Sequence, residues 1–461
     1  RDTSVTGVQT CALPISQAAE AVPADALAYV GLTLDPSGEQ KLDALRTLRK
    51  FPELRDALGL DGDLADVDPA DTLADLLTRD VLGCGRSVVA DVHGWIGDRI
   101  GLAALPDGRT ATPLVVVEVT DDAAARTGLA SLVSCAGSGV PSFGFAVSDG
   151  WAAIAPTDDV ARQALDDAAD SSLADDDDFR RWTGEAGEPG VVTGYLAPEG
   201  PAALFTAVIS DAVEGFGMTS HQTELMDTNI AESFSGFGGA ALQLRFTGGS
   251  LRMDAAVDES GAEPRAVADG PGAADLIGDL PDDTAVAIGV KSPTWTKQAL
   301  AGLDQQALRQ FGATADRLPE ASEMADAFET GFAIAVGPQA ASGVVPVAVV
   351  APEYGEEARV VLIKLADLLG IHVGVHTYHD HTVIYDDPAW AEQIVRGGSL
   401  GEQEAFRSVV PGDGSQTFEA YADLDEILGG TGDGLDALRS AGATSVSEDG
   451  VLRLRVELST D

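Results

Sequence analysis

The sequence predicts an α+β fold made of two tandem related modules. Two observations indicate this: apolar residues alternate along short, strand-length segments, and one order of strands and helices occurs twice. Hairpins in each copy favour a mixed or largely antiparallel sheet with helices on one face. We expect a first module at residues 17–260, a linker at 261–277 rich in Gly, Ala, Pro and acids, and a second module at 278–461.

Each copy is predicted to open with a strand that contains a proline near its start, followed by an amphipathic helix. The strands lie at residues 22–31 and 280–289, and the helices at 38–48 and 296–311. The next elements are expected in matching pairs: strands at 98–105 and 330–336, strands at 112–119 and 344–351, helices at 121–133 and 356–369, hairpins turning at Asp149-Gly150 and Asp380-His381, and a further helix.

The sharpest internal match is a spaced motif. Ser172-Leu173 precedes Phe179-Arg180 by five residues, as Ser399-Leu400 precedes Phe406-Arg407. Because the spacing and the order of elements are unchanged, we interpret the match as a duplication. The remaining predicted strands lie at 191–196, 241–246 and 250–257 in the first copy, and at 417–421, 444–447 and 451–458 in the second.

The first residues resemble a cloning artefact. Residues 5–15 read VTGVQTCALPI, which resembles the translation of a sequencing-library adapter. A secretory signal would need a basic start and an uninterrupted apolar stretch, and neither is present. We therefore leave residues 1–16 out of the fold, expect the native N-terminus to be missing, and do not count Cys11.

The charge of the chain excludes some partners. Only 28 Lys and Arg face 75 Asp and Glu, which gives a net charge of −47. Such a chain repels the phosphate backbone of nucleic acids and anionic membrane surfaces, so we predict no nucleic-acid partner. The hydrophobic fraction of 45% is enough for packed cores. No stretch approaches the roughly 20 apolar residues that a membrane span needs.

The two other cysteines, Cys84 and Cys135, allow two interpretations. In an oxidising compartment they would pair as a disulfide. Otherwise they are two unrelated buried thiols. Their spacing does not fit a cysteine metal motif.

Four short motifs together resemble a known family. They are Val22-Pro23-Ala24-Asp25-Ala26, Asp35-Pro36-Ser37-Gly38, Phe51-Pro52-Glu53-Leu54 and Trp95-Ile96-Gly97-Asp98-Arg99. In order and spacing they resemble the actinobacterial domain of unknown function family 3352, over nearly all of residues 20–461. The resemblance implies a single-pass membrane protein with an outward-facing domain, and this chain is similar to that domain alone. It implies no catalytic residue, because none is established for the family.

The histidines suggest a possible metal site. Four of the six lie close together, at His372, His376, His379 and His381, with Asp380 among them. Imidazole and carboxylate groups suit zinc or another divalent transition metal, and His376, His379 and His381 are the candidate ligands. On a strand His372 and His376 share a face that His379 does not. The alternative is a solvated hairpin tip without metal.

Other motifs favour structural roles. The acidic run at 61–68 fails the EF-hand pattern, and the run at 175–178 is expected to cap a helix. The string Gly397-Gly398-Ser399-Leu400-Gly401 matches the nucleophile-elbow pattern, but a helix rather than a strand precedes it, which predicts a helix C-cap. In the segment from Trp95 to Arg99 we expect a buried Trp, a tight turn at the Gly and a local ion pair.

Taken together, the sequence favours a non-enzymatic, membrane-anchored ectodomain of the cell envelope with a binding role. Its partner would be an envelope protein or a small ligand, bound at the interface between modules. The alternatives are a metal-dependent enzyme that uses the histidines at 372–381, and an extracytoplasmic module that binds a solute or a lipid. No cofactor is expected other than the possible divalent metal, and no oligomeric state is predicted.

Overall fold

The computed structural model describes residues 17–36, 38–52, 55, 94–108, 110–135, 143–206, 234, 236–259, 273–291, 331–338, 345–352, 360, 363–364, 373–378, 381–411, 416–428 and 435–460. Within these ranges helices accompany antiparallel sheets, which confirms the α+β class. The chain divides into two compact units, one of residues 1–36 and 68–234 and the other of residues 37–67 and 235–461.

The first unit contains a six-stranded antiparallel sheet in the order β6-β1-β2-β3-β5-β4. Its elements are a 3-10 turn η1 (Ala18–Ala21), β1 (Ala28–Thr33), β2 (Ile96–Asp107), β3 (Thr110–Val119), α2 (Asp122–Cys135), β4 (Gly144–Ser148), β5 (Trp151–Ala155), α3 (Asp158–Asp170), η2 (Leu173–Asp175), α4 (Asp177–Glu185) and β6 (Val192–Leu196). Helix α1 (Gly38–Arg49), between β1 and β2 in sequence, belongs to the second unit.

Helices flank both faces of this sheet, rather than the single face expected. On one face Phe179 of α4 packs edge-on against Tyr29 of β1 and Tyr195 of β6, with ring centroids 5.8 and 5.3 Å away. On the other face Leu129 of α2 is fully buried in a cluster with Val117 of β3. Helix α2 packs there because its apolar residues lie on one side of the helix and contact the valines that β3 presents on this face.

The turn between β4 and β5 confirms the predicted hairpin. Asp149 and Gly150 both have positive φ, 52° and 79°, as a type I′ turn requires. The β15–β16 hairpin of the second unit turns in the same way, at Asp449 and Gly450, with φ of 52° and 77°. Asp and Gly tolerate this left-handed backbone better than most residues.

The second unit contains ten antiparallel strands in the order β12-β13-β11-β10-β9-β14-β15-β16-β8-β7. Its further elements are β7 (Ala240–Thr247), β8 (Ser250–Asp258), α5 (Ala273–Gly278), β9 (Val286–Val290), β10 (Phe332–Val336), β11 (Val347–Pro352), β12 (Gly374–Tyr378), β13 (His381–Tyr385), α6 (Pro388–Arg396), η3 (Leu400–Glu402), α7 (Glu404–Val409), β14 (Phe418–Asp423), α8 (Leu424–Leu428), β15 (Leu438–Glu448) and β16 (Val451–Thr460).

Helices α5, α6 and α7 pack on one face of this sheet. Their buried side chains include Ile277, Trp390 and Phe406, which join one core with the alanines that the strands present on this face. Small alanine side chains let the helices lie close to the sheet. Those alanines are Ala287, Ala333, Ala335 and Ala348.

Two predicted boundaries differ from the structure. Helix α5 lies inside the expected linker, where Leu276 and Ile277 are buried; six residues are too few to show a helical period in sequence. His381 already pairs with Tyr378, so β13 starts within the predicted turn. The helix predicted at 296–311 lies outside the described residues. Of the helix predicted at 356–369, only residues 360, 363 and 364 are described, and they are helical. The division into units also assigns β7 and β8 to the second unit, whereas the repeat places them in the first module.

Candidate functional site

On one face of the sheet in the second unit, three rows of described residues carry no charge. Along each strand alternate residues point to the same face, and the strand register aligns them into three adjoining rows. We call these residues the uncharged face. The central row crosses all ten strands through Val375, Ile384, Val349, Ile334, Ile288, Ala420, Ala443, Val456, Met253 and Leu244.

The two flanking rows have the same chemistry. Ser445 carries the single polar side chain of the three rows. One row comprises Val347, Val336, Val286, Ala422, Ala441, Leu458, Leu251 and Phe246, and the other Phe332, Val290, Phe418, Ser445, Leu454, Ala255 and Leu242.

The uncharged face is largely half-buried, and in places it is open to solvent. Val347 is 39% exposed, while Val290 and Ile384 are buried. Helices α5, α6 and α7 lie on the opposite side, with Ala287 and Ala333 beneath them. Apolar surface of this extent normally packs against another surface or binds a ligand.

The first unit has a corresponding apolar row. It runs through Gly194, Val30, Leu102, Val115, Ile154 and Phe145. Val115, Ile154 and Phe145 pack against the cluster under α2. Val30 and Leu102, which pair with each other, are 49% and 53% exposed. The open part of this row is therefore small.

The opposite face of the second sheet carries an ion-pair cluster. Asp254 on β8 binds two arginines: Oδ2 accepts from Arg245 Nη2 at 2.9 Å and Oδ1 accepts from Arg455 Nε at 2.7 Å. Beside it Arg252 donates through Nε and Nη2 to Glu457, at 3.1 and 2.9 Å. Asp254 and Glu457 are buried, and the paired arginines neutralise them.

A row of polar residues extends this cluster across five strands. Glu419, Thr444, Arg455, Asp254 and Gln243 face one another in register, and all except Arg455 are buried. Charged and amide groups in a covered sheet face need partners across the strands. The pairing geometry fits a structural role.

The motif around Trp95 has a structural role, and Trp95 is buried as predicted. The predicted glycine turn is not at Gly97, which lies within β2; the turn is at Gly94, whose φ is +82°. Arg99 makes the ion pair, but with distant partners: Nε and Nη2 donate to Glu118 at 3.0 and 2.7 Å, and Nη1 donates to Glu20 at 3.1 Å. These hydrogen bonds raise the pKa of Arg99 and lower the pKa of Glu118. The guanidinium also lies 4.9 Å from the ring centroid of Trp151.

The candidate metal ligands are only partly described. His376 lies on the outer strand β12, is exposed, and pairs with Val383 of β13. His381 starts β13, and His372 and His379 fall outside the described residues. Among the described residues no group of three potential ligands could hold a metal ion. The site at His376, His379 and His381 stays a prediction.

Cys135, at the end of α2, is disulfide-bonded. Its proposed partner Cys84 lies outside the described residues, so the pairing itself stays a prediction. Cys135 borders an open, shallow groove along α2 with Arg126, Thr127, Ala130, Ser131 and Ser134.

The remaining motifs have the predicted structural roles where they are described. Gly397, with φ of +73°, ends α6, and the Ser399 hydroxyl donates to Asp282 Oδ1 at 2.9 Å. No strand precedes Ser399, so it is not a nucleophile elbow. Asp176 caps α4 by accepting from Phe179 N at 2.8 Å. The acidic run at 61–68 lies outside the described residues.

No family model matches the chain, and no curated protein matches it. The resemblance to the actinobacterial family therefore stays a prediction. No helix in the described part of the chain is long and apolar enough to span a membrane.

Sequence reasoning missed the uncharged face. The alternation along residues 451–458 predicts the strand correctly. It does not show which strands lie beside it. Alternate positions of ten strands become one surface only when their register is known. The usable signal was that nine of the ten strands have one set of alternate positions without charge, and that β15 has such a set from Ala441 to Ser447.

Proposed function

We propose that the protein is a non-enzymatic binding module of the cell envelope, built from two related modules. It would be held to the membrane by an N-terminal helix, as the family resemblance implies. Its binding surface is the uncharged face of the second sheet. The observation that carries this proposal is that three rows of largely half-buried strand residues contain no charge in a chain of net charge −47.

The order of strands supports the two related modules. The first unit has β6-β1-β2-β3-β5-β4, and the second contains β14-β9-β10-β11-β13-β12. Each strand stands at the position of its counterpart in the predicted repeat. Unrelated chains rarely share so many antiparallel neighbours in one order.

Equivalent backbone hydrogen bonds also support the duplication. In the first copy Leu173 N donates to Val22 O at 2.7 Å; in the second Leu400 N donates to Leu280 O at 3.1 Å. These bonds join each Ser-Leu motif to the residue before the first proline of its copy. The motif matched in sequence thus makes the same contact in both units.

An aromatic contact repeats as well. The rings of Phe179 and Tyr195 have centroids 5.3 Å apart, and those of Phe406 and Tyr421 are 5.2 Å apart. Each pair joins the helix after the Ser-Leu motif to the strand that follows it. The same packing solution occurs at the same place in both copies.

The disulfide of Cys135 supports a location outside the cytoplasm. Disulfides persist in oxidising compartments and are rare in cytosolic proteins. The same location follows from the family resemblance. A disulfide that only stabilises the fold of a binding module agrees with the oxidising compartment and with the family resemblance.

The proposal is tested with an uncharged dye that fluoresces in apolar surroundings. We expect saturable binding to the folded protein, and Ile334→Asp to weaken it at least about tenfold, because a charge in the central row must be desolvated. The free energy of unfolding should fall by about 1–3 kcal/mol, because Ile334 is partly buried.

Ile427→Asp is the matched control. Ile427 lies on α8, is 46% exposed and is not part of the uncharged face, so dye binding should be unchanged. Equal binding by both variants and the wild type would contradict the proposal. So would unfolding of Ile334→Asp, which would show that the face is an internal core.

A further inference from the structure

We infer that the two closing hairpins of the repeat bind each other as identical subunits do, and that Asp254 and Arg455 select the partner of each hairpin. The closing hairpins are β7–β8 of the first copy and β15–β16 of the second; both lie in the second unit, where β8 pairs with β16. Each hairpin binds one of the other type, in the same chain or in a second copy of this chain. What the uncharged face binds has no bearing on this inference, which uses only the proposed duplication.

A local twofold axis relates the two hairpins. Each turns at two residues of positive φ, Gly248-Gly249 in one and Asp449-Gly450 in the other, so β8 and β16 can be aligned from their first residues. In this alignment Asp254 and Arg455 are equivalent, because each is the fifth residue of its strand. They also face each other in the antiparallel pairing. Equivalent residues of antiparallel strands face each other where a twofold axis passes between them.

Two backbone hydrogen bonds obey the same symmetry. Thr460 N donates to Gly249 O at 3.2 Å, and Glu259 N donates to Gly450 O at 2.7 Å. Thr460 and Glu259 are each the tenth residue counted from the start of their strand, and the two glycines directly precede the strands. Each hairpin therefore receives from the other the same contact that it makes. Such reciprocity is typical of the isologous interface between two identical subunits.

The charges on the axis break this symmetry. If a hairpin bound one of its own type about this axis, the central residue would face itself, Asp against Asp or Arg against Arg. Like charges directly opposite each other destabilise a strand pair, and burial of Asp254 increases the cost. In the observed pairing Arg455 Nε donates to Asp254 Oδ1 at 2.7 Å. The pair therefore favours a hairpin of the other type over one of the same type.

The second ion pair across these strands selects less strictly. Arg252 faces Glu457 in the observed pairing. Two β16 strands paired about the same axis would place Glu457 opposite Arg453, which is again a pair of opposite charges, and two β8 strands would place Arg252 opposite Ala256. Within this ladder the residues on the axis are the ones that bring equal charges together in both like pairings.

The test mixes two full-length variants with opposite changes. In Asp254→Arg both residues on the axis are cationic, and in Arg455→Asp both are anionic, so neither chain makes the pair by itself. When the two chains exchange closing hairpins, both pairings join opposite charges. After joint unfolding and refolding without a reductant, we expect a 1:1 heterodimer at least about tenfold more abundant than either homodimer. Native mass spectrometry separates the three dimers, because the two variants differ in mass.

The two changes in one chain are the second arm of the test. Arg455→Asp should lower the denaturant midpoint of the wild type but raise that of Asp254→Arg, because there it restores opposite charges on the axis. Arg245 lacks its acceptor in both Asp254→Arg chains, so its loss does not affect that comparison. The exposed pair of Asp159 and Arg162 is the matched control. A mixture of Asp159→Arg and Arg162→Asp should form no heterodimer.

Two results would overturn the inference. One is a mixture in which the heterodimer is absent or no more abundant than random association gives, whether or not the single variants fold. The other is an equal decrease in the denaturant midpoint when Arg455→Asp is made in the wild type and in Asp254→Arg. Neither result affects dye binding by the wild-type protein, so the proposed binding function is tested separately.

Discussion

The two faces of the sheet in the second unit differ in a way opposite to simple expectation. One face packs against α5, α6 and α7 along β9, β10, β11, β13 and β14, and further along the sheet, on β8 and β16, it holds buried charges that include Asp254 and Glu457. The other is only half-buried and holds no charge across its three rows. In an antiparallel sheet the covered face is usually apolar and the open face polar. An apolar face of this extent indicates contact with a ligand or with another part of the chain.

The covered face tolerates charge because its charges are paired across strands. Asp254 contacts two arginines and Glu457 accepts three hydrogen bonds from Arg252. A paired buried charge is close to neutral for stability, whereas a charge left alone is costly. The two faces should therefore respond very differently to substitution.

The largest expected effect is the loss of Asp254. Asp254→Ala leaves Arg245 and Arg455 without this shared acceptor, and Arg245 is only 13% exposed. We expect the free energy of unfolding to fall by about 2–4 kcal/mol, measured by denaturant titration.

The matched control is an exposed ion pair of similar geometry. Arg162 and Asp159 on α3 lie 2.9 Å apart in solvent, and Asp159→Ala should cost less than about 1 kcal/mol. An equal decrease in the free energy of unfolding for the two variants would show that the buried ion pairs contribute no more to stability than an exposed pair.

A smaller effect is expected in alkali at Tyr421, which lies on the covered face. Burial raises the pKa of Tyr421 to about 12, from an ordinary value of 10.0. The unfolded state therefore loses this proton first, so stability is fully present below pH 10 and falls as the pH rises towards 12.

Tyr421→Phe should remove that part of the decline, by up to about 2–3 kcal/mol at pH 12. Denaturant titrations at pH 8, 10 and 11 would measure it. Tyr195 of the first unit, whose pKa burial also raises, serves as the comparison. Parallel curves for the wild type and Tyr421→Phe would mean that Tyr421 ionises as freely as in the unfolded chain.

Much of the local structure could be predicted from the sequence. The strands, the Asp149-Gly150 hairpin and the cap of α6 at Gly397 all follow from alternation and turn chemistry, which act over a few residues. The Ser-Leu motif of each copy was also found, because its spacing is the same twice.

What could not be predicted depends on contacts between distant residues. On β16 the alternation of Leu454 and Val456 with Arg455 marks a strand, but it suggests that the leucine side is buried. The structure buries Glu457 instead, because Arg252, 205 residues earlier, supplies its partner. Helix α5 could not be predicted for a related reason. It is stabilised by the packing of its two buried residues in the core, and its short sequence shows no helical pattern.

Crosslinking with an uncharged apolar probe that carries a photoreactive group tests the central claim, that the uncharged face is a binding surface, most directly. After irradiation and digestion, mass spectrometry locates the adducts. We expect them on strands of the uncharged face, at residues such as Ile288, Ile334 and Val349, and fewer of them when the same probe without its photoreactive group is added in excess. Adducts on the helix-covered side, around Trp390 and Phe406, or adducts that the competitor does not reduce, would contradict the account.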